Sequence, residues 1–172
     1  MRILAPEAFR AQPWKNGGGI THEIVRWPDS PDPAAPYDIR ISIAEDRVPA
    51  PFSRFPGYHR WSFLAGPAPI VLDIDGVSHE LTALGDHLEV SGDVPITCTL
   101  PGGPTRLFNI LVRAGVDAIV GHGPTPAPIR FAFAIEALPW LPAGHAALFE
   151  PPGPPPGDNP AAALTRHTVW LR

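Results

Sequence analysis

Tyr37-Asp38-Ile39-Arg40-Ile41-Ser42-Ile43-Ala44 is the cleanest β-strand pattern in the chain. Tyr37, Ile39, Ile41 and Ile43 fall on one face of an extended segment, and Asp38, Arg40, Ser42 and Ala44 fall on the other, because successive strand side chains point to opposite sides. In an open sheet the polar face meets water. In a closed barrel one face of each strand lines the interior, and a polar lining there is a binding surface. One strand alone does not choose between the two.

Working outward, Leu107 to Arg113 places Leu107, Asn109, Leu111 and Arg113 on one face and Phe108, Ile110 and Val112 on the other. Asn109 and Arg113 on so apolar a strand need buried partners or a ligand. Further strands are expected over His22–Trp27, Trp61–Ala65, Ile70–Ile74, Val77–Leu81, Val94–Leu100, Val116–Val120, Ile129–Ala137, Leu148–Phe149 and Thr168–Leu171. Asp75-Gly76 is a hairpin signal, and Gly85-Asp86 and Gly92-Asp93 are turns. Pro151 to Pro160 reads as a stiff, exposed, proline-rich loop. Many short strands with turns between them and almost no helix predict an all-β barrel or sandwich. Residues 1–172 are expected to form one unit, with an internal division near 114–116, where Gly115 offers a pivot between two sheet systems.

Composition agrees with that class. The 25 Pro and 16 Gly among 172 residues argue against long helices, and 44% hydrophobic content is enough for a core. A net charge of −4 with no basic block argues against nucleic-acid binding. Cys98 is the single cysteine, so no internal disulfide forms and a reducing compartment is expected. It lies with Val94, Ile96 and Leu100 on an apolar face and reads as an inert core residue. Glu7 and the lack of an apolar segment near it predict no signal peptide. With no membrane-length apolar run either, a soluble cytoplasmic protein is expected.

The densest cluster of special residues is Pro13-Trp14-Lys15-Asn16-Gly17-Gly18-Gly19, followed by Thr21-His22-Glu23. Lys15 is the only lysine, the other basic residues all being arginine, which suits a role for a compact ammonium. The glycines permit φ > 0 and close backbone approach. The run reads as a flexible turn, as a phosphate-cradling loop, or as half a site with Lys15 and Glu23 facing a ligand. The spacing does not fit a phosphate loop, and the third reading is preferred. A second loop, Pro51-Phe52-Ser53-Arg54-Phe55-Pro56-Gly57-Tyr58-His59-Arg60, is too rich in aromatic and proline residues for a mobile linker.

The Gly-rich block with Thr21 and Glu23, the strand Tyr37 to Ala44, the loop Pro51 to Gly57 with Arg60, and Gly92-Asp93-Val94-Pro95 leading through Gly103-Pro104 to Leu107–Arg113 occur in that order over residues 13 to 113. As a set they resemble the HutD/Ves family. The resemblance implies a cupin-like (RmlC-like) double-stranded β-barrel with two stacked barrel halves. It implies a small-molecule binder associated with bacterial histidine utilisation, taking an intermediate such as N-formylglutamate or urocanate and restraining its build-up. A branch of the family is described only as stress-related. Two positions depart from the pattern. His22 stands where the family usually has Arg, and Leu88-Glu89-Val90-Ser91 stands where it usually carries Phe. A ligand contact made by that Arg becomes weaker and pH-dependent with His22.

Many cupins hold a metal through an H-x-H pair, a Glu and a later His. None of the seven histidines here lie two residues apart, so no metal and no cofactor are expected. There is no G-x-S-x-G nucleophile motif. What remains is a set of cations. Lys15, Arg40 and Arg60 are expected to converge on a carboxylate, with Asn109 and Glu23 reading an amide or imidazole nitrogen. Asn16, Ser42 and Arg113 complete the candidate set. The alternative is that these charges only neutralise one another as structural pairs. A non-catalytic carboxylate binder is preferred over a metal-independent isomerase or hydrolase with Glu23 or His22 as general base, and over an interaction module using the proline-rich segments. The expected partner is a small carboxylate metabolite, with no nucleic acid and no membrane, and the oligomeric state is open, a homodimer included.

Overall fold

A computed structural model describes residues 1–124, 128–157 and 167–172. The chain runs through β1 (Arg2–Leu4), a single 3-10 turn at Pro6–Ala8, β2 (Arg10–Pro13), β3 (Gly19–Trp27), β4 (Ile39–Asp46) and β5 (Tyr58–Leu64). It continues through β6 (Ile70–Ile74), β7 (Val77–Leu81), β8 (His87–Ser91), β9 (Ile96–Thr99) and β10 (Thr105–Arg113). The last elements are β11 (Val120–His122), β12 (Ile129–Ala134), β13 (Ala146–Gly153) and β14 (Thr168–Leu171). The fold is all-β, with a single 3-10 turn as the one helical element among the described residues. Two compact units account for it: Arg10–Val116, and Met1–Phe9 with Asp117–Arg172.

In the Arg10–Val116 unit a six-stranded sheet has the order β2-β3-β4-β10-β5-β8, and a three-stranded sheet the order β7-β6-β9. All neighbours are antiparallel. The two sheets share an apolar core: Leu64, Leu88 and Leu107 from the larger sheet meet Ile70, Leu72, Leu81, Ile96 and Cys98 from the smaller. Register then builds rows of side chains across the larger sheet. Leu111 of β10 lies opposite Arg40 of β4 and Arg60 of β5, and Asn109 lies opposite Ser42 and Ser62. The apolar core and this polar field therefore lie on the same face of β10, at Leu107 and Asn109 respectively. On the other face Ile41, Phe63, Phe108 and Ile110 are buried.

A β-bulge between Glu23 and Val25 changes the parity of β3: Glu23 pairs with Ser42 but Arg26 pairs with Arg40. Two residues three apart in sequence thus lie on one side of the sheet. The Asp75-Gly76 hairpin forms as expected, both residues at positive φ (56° and 81°).

The second unit holds one sheet of order β1-β13-β12-β14-β11. Its core combines Ile129, Ala132, Ala134, Leu138, Leu141, Ala147 and Phe149, with Trp140 and Trp170 packed against it. Gly121 leaves room for the Trp170 ring, which a Cβ there would meet at 2.4 Å.

Several sequence expectations need correction. The strand expected at Val116–Val120 begins only at Val120. The strand expected from Val94 starts at Ile96, since Pro95 has no N–H to donate. The expected strand to Ala137 stops at Ala134. Pro151 and Pro152, expected in a loop, lie in β13, at the register irregularity where ladder donors are not required. Residues 158–160 of that expected loop lie outside the described residues. β2 and β8 were not visible in the alternation pattern, and both are edge strands of the larger sheet.

Candidate functional site

The polar rows of the larger sheet form the floor of a cavity of about 580 Å³. Strand β4 contributes Arg40, Ser42, Ala44 and Asp46, β10 contributes Leu107, Asn109 and Leu111, and β5 contributes Arg60. The β2–β3 turn and the 51–55 loop supply the rim.

The rim turn is rigidly specified. Gly17 has φ 71°, the Gly18 amide donates to Asn16 Oδ1 at 2.9 Å, and the Trp14 amide donates to the Gly19 carbonyl at 3.0 Å. The Trp14 indole N–H donates to Thr21 Oγ1 at 2.8 Å, folding the ring over Gly19. A Cβ at Gly19 would sit 2.2 Å from the Glu45 carbonyl and 3.0 Å from the Trp14 ring. The run is thus a closely packed turn that places the exposed Lys15 and Asn16 at the cavity rim.

Arg60 is 8% exposed, with its guanidinium 4.8 Å from the Phe52 ring centre and 5.9 Å from that of Phe55. Its Nε donates to Ser62 Oγ at 3.1 Å and its Nη2 to Asn109 Oδ1 at 3.0 Å. Burial pulls its ionisation down to about 10, against the opposing charge of Asp46, so it remains a cation at neutral pH. Asn109 also accepts from Ser62 Oγ at 2.7 Å and donates to the Leu107 carbonyl at 3.1 Å. Its amide oxygen is committed to holding Arg60 and Ser62, while its NH2 group, with two N–H donors, gives one of them to Leu107.

Arg40 donates from Nε to Glu23 Oε2 at 2.8 Å and from Nη2 to Gln12 Oε1 at 2.9 Å. Glu23 is 1% exposed and does not line the cavity. It also receives the Arg26 guanidinium through two hydrogen bonds, at 2.9 and 2.5 Å, and that of Arg10 at 2.8 Å. Burial pushes the Glu23 carboxyl up, but the hydrogen bonds from Arg26 and Arg40 outweigh it and hold the group below the usual carboxylate range. Where a ligand contact was expected of Glu23, its carboxylate is taken up by three arginines: the bulge in β3 brings Arg26 to the same side of the sheet, and Arg10 and Arg40 share the Glu23 oxygens with it. For Arg40, the structural pairing weighed above is present, with one carboxylate shared among those three guanidiniums.

His22 meets Glu45 at 3.1 Å, and neither His22 nor Glu23 is among the residues that line the cavity. Arg113 also lies away from the cavity, 57% exposed and paired with Asp38. The cavity does bring together Lys15, Asn16, Arg40, Ser42, Arg60 and Asn109. Sequence reasoning missed Asp46, Gln12, Trp14, Thr21, Phe52, Ser53 and Phe55. Asp46 was within reach, because the alternation Arg40, Ser42, Ala44 extends to it.

Cupins commonly hold a transition metal, but this cavity does not offer the ligands. Its lining includes one carboxylate, Asp46, and no His, Cys or Glu, where such a metal needs several N, O or S donors. Among the described residues no three His, Cys, Asp or Glu side chains come together as a metal-binding group.

Residues 6–122 match the family model described as HutD. The chain belongs to the HutD family. A 21.2 kDa uncharacterised protein of Pseudomonas putida, from the 3′ region of hutC, is 33% identical over 111 residues. That match covers 64% of this chain and 57% of the relative, so the chain spans little more than half the length of that relative. Among solved structures, HutD from Pseudomonas fluorescens SBW25 aligns with a TM-score of 0.76 at 23% identity, covering 99% of this chain and 96% of that one. A conserved protein of unknown function from Pseudomonas aeruginosa PAO1 aligns at 0.70 and 24% identity, covering 99% and 90%. At these identities the structures establish the shared fold. Among the described residues no helix is long and apolar enough to cross a membrane.

Proposed function

We propose that this HutD-family protein binds a small carboxylate in the cavity of its Arg10–Val116 unit, without turnover, as part of histidine utilisation. The observation that carries this is the charge balance of the lining. Lys15, Arg40 and Arg60 all line it. Among the described residues Arg60 hydrogen-bonds only neutral oxygens, those of Ser62 and Asn109, and Arg40 shares its one carboxylate with two other arginines. A buried guanidinium without a carboxylate in contact is costly, and an anionic guest supplies the missing partner through charge-assisted hydrogen bonds. The aromatic rings of Phe52 and Phe55 beside Arg60 keep it dry and strengthen that contact.

The pathway assignment draws on the position of the Pseudomonas putida relative in the hutC region and on family membership. N-formylglutamate and urocanate are the ligands proposed, both small acids of a size the cavity admits. The test is a calorimetric panel of glutarate, N-formyl-L-glutamate and urocanate against glutaramide, which has the same length as glutarate and no charge. Binding of the acids with glutaramide silent supports the proposal. Equal binding of glutarate and glutaramide, or silence from every acid, refutes it.

A further inference from the structure

Asp46 ends β4 on the same face as Arg40, Ser42 and Ala44, in the wall of the cavity. It is 1% exposed, and neither of its carboxylate oxygens has a hydrogen-bond partner among the described residues. An ionised carboxylate only accepts hydrogen bonds, and burying one without a donor costs far more than a typical side-chain contact returns. The neighbouring strands supply nothing: the residues opposite Asp46 are Gly19 on β3 and Thr105 on β10, and the Thr105 hydroxyl is spent on the Ala68 carbonyl at 2.6 Å. Arg60 is near enough to feel the charge of Asp46, yet its Nε and Nη2 turn to Ser62 and Asn109 instead. A structural ion pair would close that gap, and this one does not.

We propose that Asp46 is a ligand-recognition residue, accepting a hydrogen bond from an N–H group of the guest, so that the acid selected by this cavity carries an N–H donor as well as a carboxylate. This rests on the carboxylate-binding reading and narrows it. The arginines alone would take any small acid. The orphaned acceptor discriminates, because an acid that lacks a donor leaves Asp46 desolvated and unpaired, and a site built around a hydrogen bond rejects the analogue that cannot make it. Burial pushes the Asp46 carboxyl up to about 6 against the pull of Arg60, which leaves it mostly ionised, and so an acceptor, at pH 7.5.

The test compares N-formyl-L-glutamate with its ester analogue, in which oxygen replaces the N–H, on the intact chain at pH 7.5, with glutarate as the plain acid. The wild-type protein is expected to prefer the amide over the ester by about 10- to 100-fold. Asp46→Ala is expected to reduce that preference to within about 3-fold while glutarate still binds, and Asp46→Asn, whose amide oxygen still accepts, to retain part of it. A merely structural aspartate would move the affinity for both compounds together and leave their ratio alone. Glutarate binding with no amide preference in the wild type removes the Asp46 assignment and leaves the carboxylate reading standing. Binding of none of the three acids removes both. Should Asp46→Ala fail to fold, the wild-type ratio decides by itself.

Discussion

Asp46 is a buried carboxylate with no hydrogen-bond donor among the described residues. Its carboxyl is raised from the ordinary 3.8 to about 6 by burial, with Arg60 of β5 the charged group that opposes the shift. The Cys98 thiol of β9 feels its charge: burial raises that thiol's ionisation, the Ala50 backbone hydrogen bond lowers it, and the Asp46 charge raises it further. A group raised in the folded state stabilises the fold below its ordinary value and loses that contribution as the pH climbs through the raised one. The free protein should therefore lose stability between about pH 4 and pH 6 on account of this group. Asp46→Asn should be more stable than wild type by on the order of 2–3 kcal/mol at pH 8, the difference closing towards pH 4. Urea unfolding of the two proteins across that range checks this, and equal stability at pH 8 would contradict it. Glu23 is the opposite case, a buried carboxylate paid for by three arginines. Both residues were hard to place from sequence for a definite reason. The partner of Glu23 lies beyond a bulge that alternation cannot foresee, while Asp46 is separated from Arg40 and Ser42 by Ala44, an apolar residue that interrupts the polar face. Lys15, Arg40, Ser42 and Arg60 were legible as cavity residues because composition and strand parity mark them without knowledge of the bulge.

At the scale of elements, the β2–β3 turn couples the glycine run to the site. The backbone of Gly19 lies against Glu45 of β4 with the Trp14 ring stacked over it, so this glycine serves close packing where Gly17 serves turn geometry. Gly19→Ala should destabilise the protein by about 2–3 kcal/mol and, by shifting the turn, weaken carboxylate binding through Lys15. Thermal melts and a glutarate titration of the variant check both, and a wild-type melting temperature would contradict the packing argument. The sequence shows the central strands because their faces alternate cleanly, as at Ile39–Ala44 and Leu107–Val112. It hides β2 and β8, polar edge strands whose outer sides need no apolar pattern. It hides the length of β13 as well, because two prolines imitate a loop where the ladder is already interrupted.

For the whole molecule, the all-β architecture and the HutD family follow from residues 13–113, and the cavity lies entirely within the Arg10–Val116 unit. What the chain pattern could not supply is which charges neutralise each other, since that depends on register across five strands. The central claim is that unpaired positive charge in this cavity holds a carboxylate. Its most direct measurement is a calorimetric titration of N-formyl-L-glutamate into wild type, Lys15→Ala and Arg60→Gln, with melting temperatures recorded alongside. The account predicts saturable binding by wild type, a loss of about 10-fold for Lys15→Ala with an unchanged melting temperature, and a loss of about 100-fold for Arg60→Gln. Wild-type affinity in both variants would contradict it.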